Sequence, residues 1–121
     1  MMKFNGKNFF EVGEHLENYS KEEAYQRTAA GRFYYACHIK CRNYFESKTN
    51  GRLGKNSPHK KLIDYFKDSK NDVESQIGRN LEDLKRIRIK ADYKPGFKTN
   101  SVSDSKSKAI KIFNLFKDLE D

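Results

Sequence analysis

A chain of 121 residues is about one domain's worth of polypeptide, and 36% hydrophobic against 35% charged residues leaves it a lean core. The aromatic share of 13%, chiefly nine Phe and seven Tyr, excludes a wholly disordered chain, because each ring buries a large area. No apolar run approaches the ~20 residues of a membrane span, which excludes a transmembrane protein of the helical kind. A charged-then-apolar leader is also missing, so a secretory signal is not expected. Two cysteines make no disulfide framework and fit a reducing compartment. The expectation is a single cytoplasmic domain over residues 1–121, with no membrane association. The net charge of +8 argues for a polyanionic partner, although a Lys-rich solvated surface would give the same number. Its distribution is uneven. Residues 11–23 hold five Glu and one Lys, residues 52–70 hold six basic and two acidic residues, and residues 85–98 hold six basic residues and Asp92.

In chain order, Phe9–Leu16 reads as a short helix. Ser20-Lys21-Glu22-Glu23 is a capping-box pattern, with Ser20 as N-cap and Glu23 reaching back. From there to about Ser47 Gly31 is the one breaker, which predicts one long helix. Residues 48–54 form a loop by composition. Ser57-Pro58 predicts an N-cap with proline in the first turn of a helix ending near Lys67. Asn71 or Asp72 opens another helix, which Lys94-Pro95-Gly96 stops after Tyr93. Residues 97–102 read as a linker and Ser103 as the cap of a last helix to about Leu119. No β-alternation of useful length is visible. The fold class is all-α, an up-and-down bundle of four to five helices.

Two helices have informative faces. At 100° per residue, Val73, Ile77, Leu81, Leu84 and Ala91 form one apolar stripe, and Arg88 falls inside it. A charge aimed at the core side needs a partner, and Asp92 stands at the (i, i+4) spacing that supplies one. Arg88 therefore reads as an ion pair closing the helix end, as a cation at a cleft rim that grips phosphate, or as both. The long helix is apolar around most of its circumference and should be central, with Ala29, Phe33, Ala36, Cys37, Cys41 and Tyr44 on its most buried side. A narrower stripe carries Arg27, Gly31, His38 and Arg42. A mid-helix glycine costs roughly 1 kcal/mol against alanine. A neighbouring helix, a symmetry mate or a ligand would account for Gly31, and close helix packing is the favoured cause.

Metal and other catalytic constellations find little support. Cys37, His38 and Cys41 do not converge, and zinc would need further ligands, so they read as core thiols and no metal or cofactor is expected. The run Lys106–Lys111 reads as the wet face of the last helix. His59 follows the Ser57 cap by two residues, and a helix N-terminus disfavours its protonated form. It reads either as a capping-turn residue or as a neutral general base.

Three blocks resemble, in order, the prokaryotic members of the HEPN superfamily of nucleotide-binding helical domains. Arg27-Thr-Ala-Ala-Gly-Arg32-Phe-Tyr34-Tyr35-Ala36 is similar to that group's R-x-A-x-x-R-x-Y-Y-A helix. Ser57-Pro-His59-Lys60 is similar to its Ser-x-His-Lys opening. Leu84-Lys-Arg-Ile-Arg88-Ile-Lys-Ala-Asp92-Tyr93 is similar to its L-x-x-x-R-x-x-A-D-Y ending. The resemblance spans roughly residues 20–119. It implies a helical bundle, often a homodimer, serving in toxin–antitoxin or defence systems with a small nucleotidyltransferase as antitoxin partner, and metal-independent RNA cleavage where activity is present. The sequence departs from the pattern in one place. Catalytic members carry Arg, four to six residues and then His; here the fifth position after Arg88 is Tyr93 and no His follows anywhere in the chain.

The resulting expectation is an RNA- or nucleotide-binding domain whose site centres on Arg88, with ribonuclease toxin activity in view. Metal-free cleavage needs a group to take the 2′-OH proton and one to protonate the leaving oxygen. Arg88 would hold phosphate with Asp92 orienting it, Tyr93 and His59 would supply hydrogen bonds or proton transfer, and His38 or His59 of either copy would stand in for the missing His. Arg27, Arg32, Lys60, Lys85 and Lys90 are the expected nucleic-acid contacts. The rival expectation is an inactive helical module that docks a partner such as a nucleotidyltransferase.

Overall fold

In the computed structural model, which describes residues 6–54, 56–95, 97–98 and 100–120, five helices follow one another: α1 Gly6–Tyr19, α2 Glu23–Thr49, α3 Pro58–Lys67, α4 Asp72–Tyr93 and α5 Ser101–Glu120. The fold is an all-α helical bundle, as the apolar periodicity predicts, and no strand occurs among the described residues. The central helix is α2: α1, α4 and α5 all pack along it, while α3 leans chiefly on α4. Its Ala29, Phe33, Ala36, Cys37 and Cys41 have no exposed surface. Tyr44, on the same side, is half-buried against the core. From α4, Ile77, Leu81, Leu84 and Ala91 enter the core, and Val73 is half-buried at its edge. Each fully buried Leu, Ile or Phe contributes about 1.5–3 kcal/mol, so a modest number of large side chains suffices for a chain with so few.

Glycines let two contacts close. On α1, a Cβ at Gly13 would stand 2.8 Å from the Phe33 ring; on α4, one at Gly78 would stand 2.8 Å from the Phe66 carbonyl carbon. The α1–α2 corner is tied by buried Gln26, whose Nε2 donates to the carbonyls of Glu17 at 3.0 Å and Ser20 at 2.7 Å.

Several helix ends differ from the sequence reading. The Ser20–Glu23 capping box does not form: the N-cap is Glu22, Ser20 Oγ accepts from the Glu22 amide at 3.1 Å, and Glu23 turns to Arg27. A serine two residues outside the helix makes a local turn instead of reaching the first-turn amides. Ser57 is the N-cap of α3 by position, but its φ of 49° places it in the left-handed region and its hydroxyl makes no cap bond. Pro58 holds the first helical position as expected. Asn71 caps α4 in the regular way, its Oδ1 accepting from the Glu74 amide at 3.0 Å. The last helix begins at Ser101, so Ser103 lies inside it. Two lysines of the run expected to be a wet face are half-buried bridges: Lys106 pairs with Glu14 at 3.1 Å and Lys108 with Asp83 at 3.3 Å. Tertiary approach of α1 and α4 to α5 draws them in.

Candidate functional site

The (i, i+4) spacing puts Tyr34 and His38 on one face of α2, with Tyr35 beside them. The first turn of α3 brings His59 against this face. Its ring stacks on His38 with centroids 4.2 Å apart, and the Tyr34 hydroxyl meets His59 Nδ1 at 2.6 Å. From α4, the guanidinium carbon of Arg88 lies 5.7 Å from the Tyr34 ring centre and 5.0 Å from that of Tyr35. Arg88 Nε donates to Asp92 Oδ2 at 3.2 Å. The ion-pair reading of Arg88 thus holds. The side chain is 18% exposed, and its terminal nitrogens make no further hydrogen bond among the described residues.

Burial and positive charge determine the protonation of this cluster. The His38 side chain is pushed down to a pKa of about 3, first by burial and then by His59, Arg42, Arg88 and Lys85. His59 is also held below its ordinary value, by burial first and then by Arg88 and Lys85. The helix N-terminus invoked from sequence predicts this direction, but the larger cause is desolvation. Burial pushes the Tyr34 phenol well above its ordinary range against the pull of Arg88, so Tyr34 keeps its proton. Both histidines are therefore neutral near pH 7. The Tyr34 hydroxyl can donate or accept, so it orients the His59 ring in either tautomer. His38 Nδ1 is buried without a hydrogen-bond partner among the described residues. Such an arrangement can bind an anion at Arg88 and offer a neutral imidazole beside it.

The remaining sequence candidates scatter. Arg27 does not join the cluster: its Nη1 donates to the carbonyls of Ala91 at 2.6 Å and Lys90 at 3.3 Å, and its guanidinium covers Phe97. It satisfies the open carbonyls at the end of α4 and so positions Arg88 and Asp92. Lys85, on α4, adds to the positive charge that disfavours protonation of both histidines. Arg32 lies over the Phe9 ring at 5.4 Å, on the Asp92 side of Tyr35. Lys60 pairs with Asp64 at 2.8 Å, and Lys90 is exposed on a separate surface with Lys94 and Lys98. Tyr93 is 71% exposed and contacts none of the cluster. Gly31 corrects the favoured expectation of close packing: among the described residues, a Cβ there would meet nothing within 4 Å. It opens instead onto a cavity of about 220 Å³ lined by Thr28, Gly31, Arg32, Tyr35 and Asp92.

Cys37 and Cys41 are buried free thiols, as expected. Among the described residues, no group of three or more His, Cys, Asp or Glu is placed to hold a metal ion, and no helix is long and apolar enough to cross a membrane. Set against family models, curated proteins and solved structures, the chain finds no match.

Proposed function

We propose that this domain binds RNA at the Arg88 cluster and cleaves it there by metal-independent proton transfer, in the manner that the resemblance to the HEPN superfamily implies. The observation that carries the reading is the meeting of His59, Tyr34 and Arg88 from three helices around one half-open spot. In this reading the two terminal nitrogens of Arg88 take the phosphate bidentately, with Asp92 holding the guanidinium plane. A neutral His59, its Nδ1–H donated to the Tyr34 hydroxyl, accepts the 2′-OH proton at Nε2; the 2′ oxygen bonds to phosphorus as the bond to the 5′ oxygen breaks, and the imidazolium returns the proton to that leaving oxygen, leaving a 2′,3′-cyclic phosphate. His38 stacks behind it as a positioning residue, since a group with a pKa near 3 is too weak a base to take the 2′-OH proton at neutral pH. The missing His after Arg88 is thereby replaced from α3 and not from α4. A toxin or defence role, a homodimer and a nucleotidyltransferase partner belong to the same proposal and rest on the resemblance alone.

A second reading, an inactive docking module, is favoured by the exposed Tyr93 ring one residue beyond Asp92. Labelled RNA incubated with purified protein in EDTA separates the two. Cleavage by the wild type that falls at least about a hundredfold in His59→Ala and Arg88→Lys, at matched melting temperature, supports the ribonuclease. Intact RNA across several sequences, with retained capture of a partner, supports the docking module.

A further inference from the structure

We propose that the open cavity over Gly31 is a base subsite that takes a guanine ring next to the phosphate position at Arg88. This rests on the RNA reading above and deepens it by naming the base. A mid-helix glycine is unfavourable, and within the described chain no backbone or side chain uses the space that the missing Cβ leaves. What the glycine does is keep the cavity open. At about 220 Å³ the space is smaller than the ~300–1,000 Å³ of sites that enclose a whole drug-sized ligand, so it suits one ring system with the sugar and phosphate outside.

The direction in which they leave is set by Tyr35. Its side chain forms one wall of the cavity and also carries Arg88 at 5.0 Å and His59 at 6.1 Å between ring centres. A nucleotide seated over Gly31 therefore has its phosphate within reach of Arg88, while Arg32, held over Phe9, stands at the cavity as a second cation. Asp92 supplies the selectivity. Asp92 lines the cavity; its Oδ1 makes no hydrogen bond among the described residues and its Oδ2 accepts one, from Arg88, so both oxygens have lone pairs left for a base. A carboxylate only accepts, and it needs adjacent N–H donors opposite. Guanine presents two on one edge, N1–H and the N2 amino group. Adenine and cytosine place a bare ring nitrogen beside their amino group, and uracil flanks its one N–H with carbonyls; each would set an acceptor against the carboxylate.

The test is binding by fluorescence anisotropy of a 2′-O-methyl uridine hexamer, which the proposed cleavage cannot consume, and of the same hexamer with one central G, A or C, with GMP as a free-nucleotide arm. The expected result is about tenfold tighter binding of the G hexamer than of the other three. Gly31→Leu, which fills the cavity, and Asp92→Asn, which places an amide among the acceptors, should each bring that ratio close to one. Gly31→Ala gives a partial loss in a variant expected to fold at least as well as the wild type. GMP competing as tightly as the G hexamer keeps the guanine site and assigns it to free nucleotide. Equal affinity for all four hexamers, or a G preference that survives Gly31→Leu, overturns the base subsite while RNA binding stands. Failure of every hexamer to bind removes both the subsite and the RNA reading.

Discussion

Acid should destabilise this domain through His38 before it reaches the carboxylates. The ring is 7% exposed, its Nδ1 has no partner among the described residues, and the groups facing it are His59 from α3, Arg42 on its own helix, and Lys85 and Arg88 from α4. Its pKa is about 3 in the folded chain against an ordinary 6.5 when unfolded. Between those values the unfolded chain binds a proton that the folded chain does not. The stability this neutral imidazole contributes is thus whole above pH 6.5 and is lost progressively as the pH falls toward 3. Linkage puts the loss between pH 7 and pH 5 at about 2 kcal/mol from this residue, out of about 5 kcal/mol over the whole window. His59, also lowered, adds in the same direction. The assay is urea unfolding at pH 7 and pH 5 for the wild type and for His38→Gln, whose amide does not titrate. Whatever the substitution does at pH 7, the wild type should lose about 2 kcal/mol more than the variant on acidification. Equal losses in the two proteins would refute the argument that His38 is kept neutral by burial among cations.

Other perturbations test the packing. Gly31→Ala should stabilise by about 0.5–1 kcal/mol in thermal melts, because the methyl enters open space on a helix; a lower melting temperature would mean that something occupies that face. Gly78→Ala should do the reverse and cost about 1–3 kcal/mol, since its Cβ would press on the backbone of Phe66 and Lys67, which cannot swing aside. Glu74→Ala should cost about 1.5–3 kcal/mol by chemical denaturation: the buried carboxylate accepts from Tyr44, from Lys48 at 2.6 Å and from Ser69 at 2.6 Å. Burial alone would raise the Glu74 pKa, but the hydrogen bonds from Lys48, Ser69 and Tyr44 outweigh it and lower the value. This contribution is therefore present above pH 4.5 and fades below it, and Glu74→Gln should flatten that part of the acid profile. Asn71→Ala, losing the α4 cap, should cost about 1 kcal/mol and show first as faster amide exchange in the first turn of the helix.

Much of the scaffold was legible because it depends on neighbours in sequence. The period of Ile77, Leu81, Leu84 and Ala91 marks the core face of α4, Asn71 and Pro58 mark helix starts, and Lys94-Pro95 marks a stop, all through local sterics and hydrogen bonding. The Arg88–Asp92 pair was legible for the same reason, being one helical turn long. Caps proved less readable where a serine had competing local turns, as at Ser20 and Ser57. The site itself is a long-range object. His38 and His59 stand 21 positions apart, and nothing in either segment says that their rings stack or that Tyr34 meets His59. The (i, i+4) spacing of Tyr34 and His38 is the one part of the cluster that a single helix face could have shown, and the stripe of Arg27, Gly31, His38 and Arg42 did not include it.

By itself, then, the amino-acid sequence determined an all-α chain with a central second helix, a basic balance of charge and an arginine on the core side of α4, because side-chain period, capping chemistry and formal charge are properties of short stretches. Which polar groups came together was decided by the tertiary structure. The meeting of α3 with α2 stacks the two histidines, the end of α4 captures Arg27 and leaves Arg88 half-open, and the open space over Gly31 among the described residues makes a cavity of what the sequence alone suggested was a helix contact. The physical reason is that desolvation and charge–charge proximity depend on distances through space, and those distances exist only once the helices have packed.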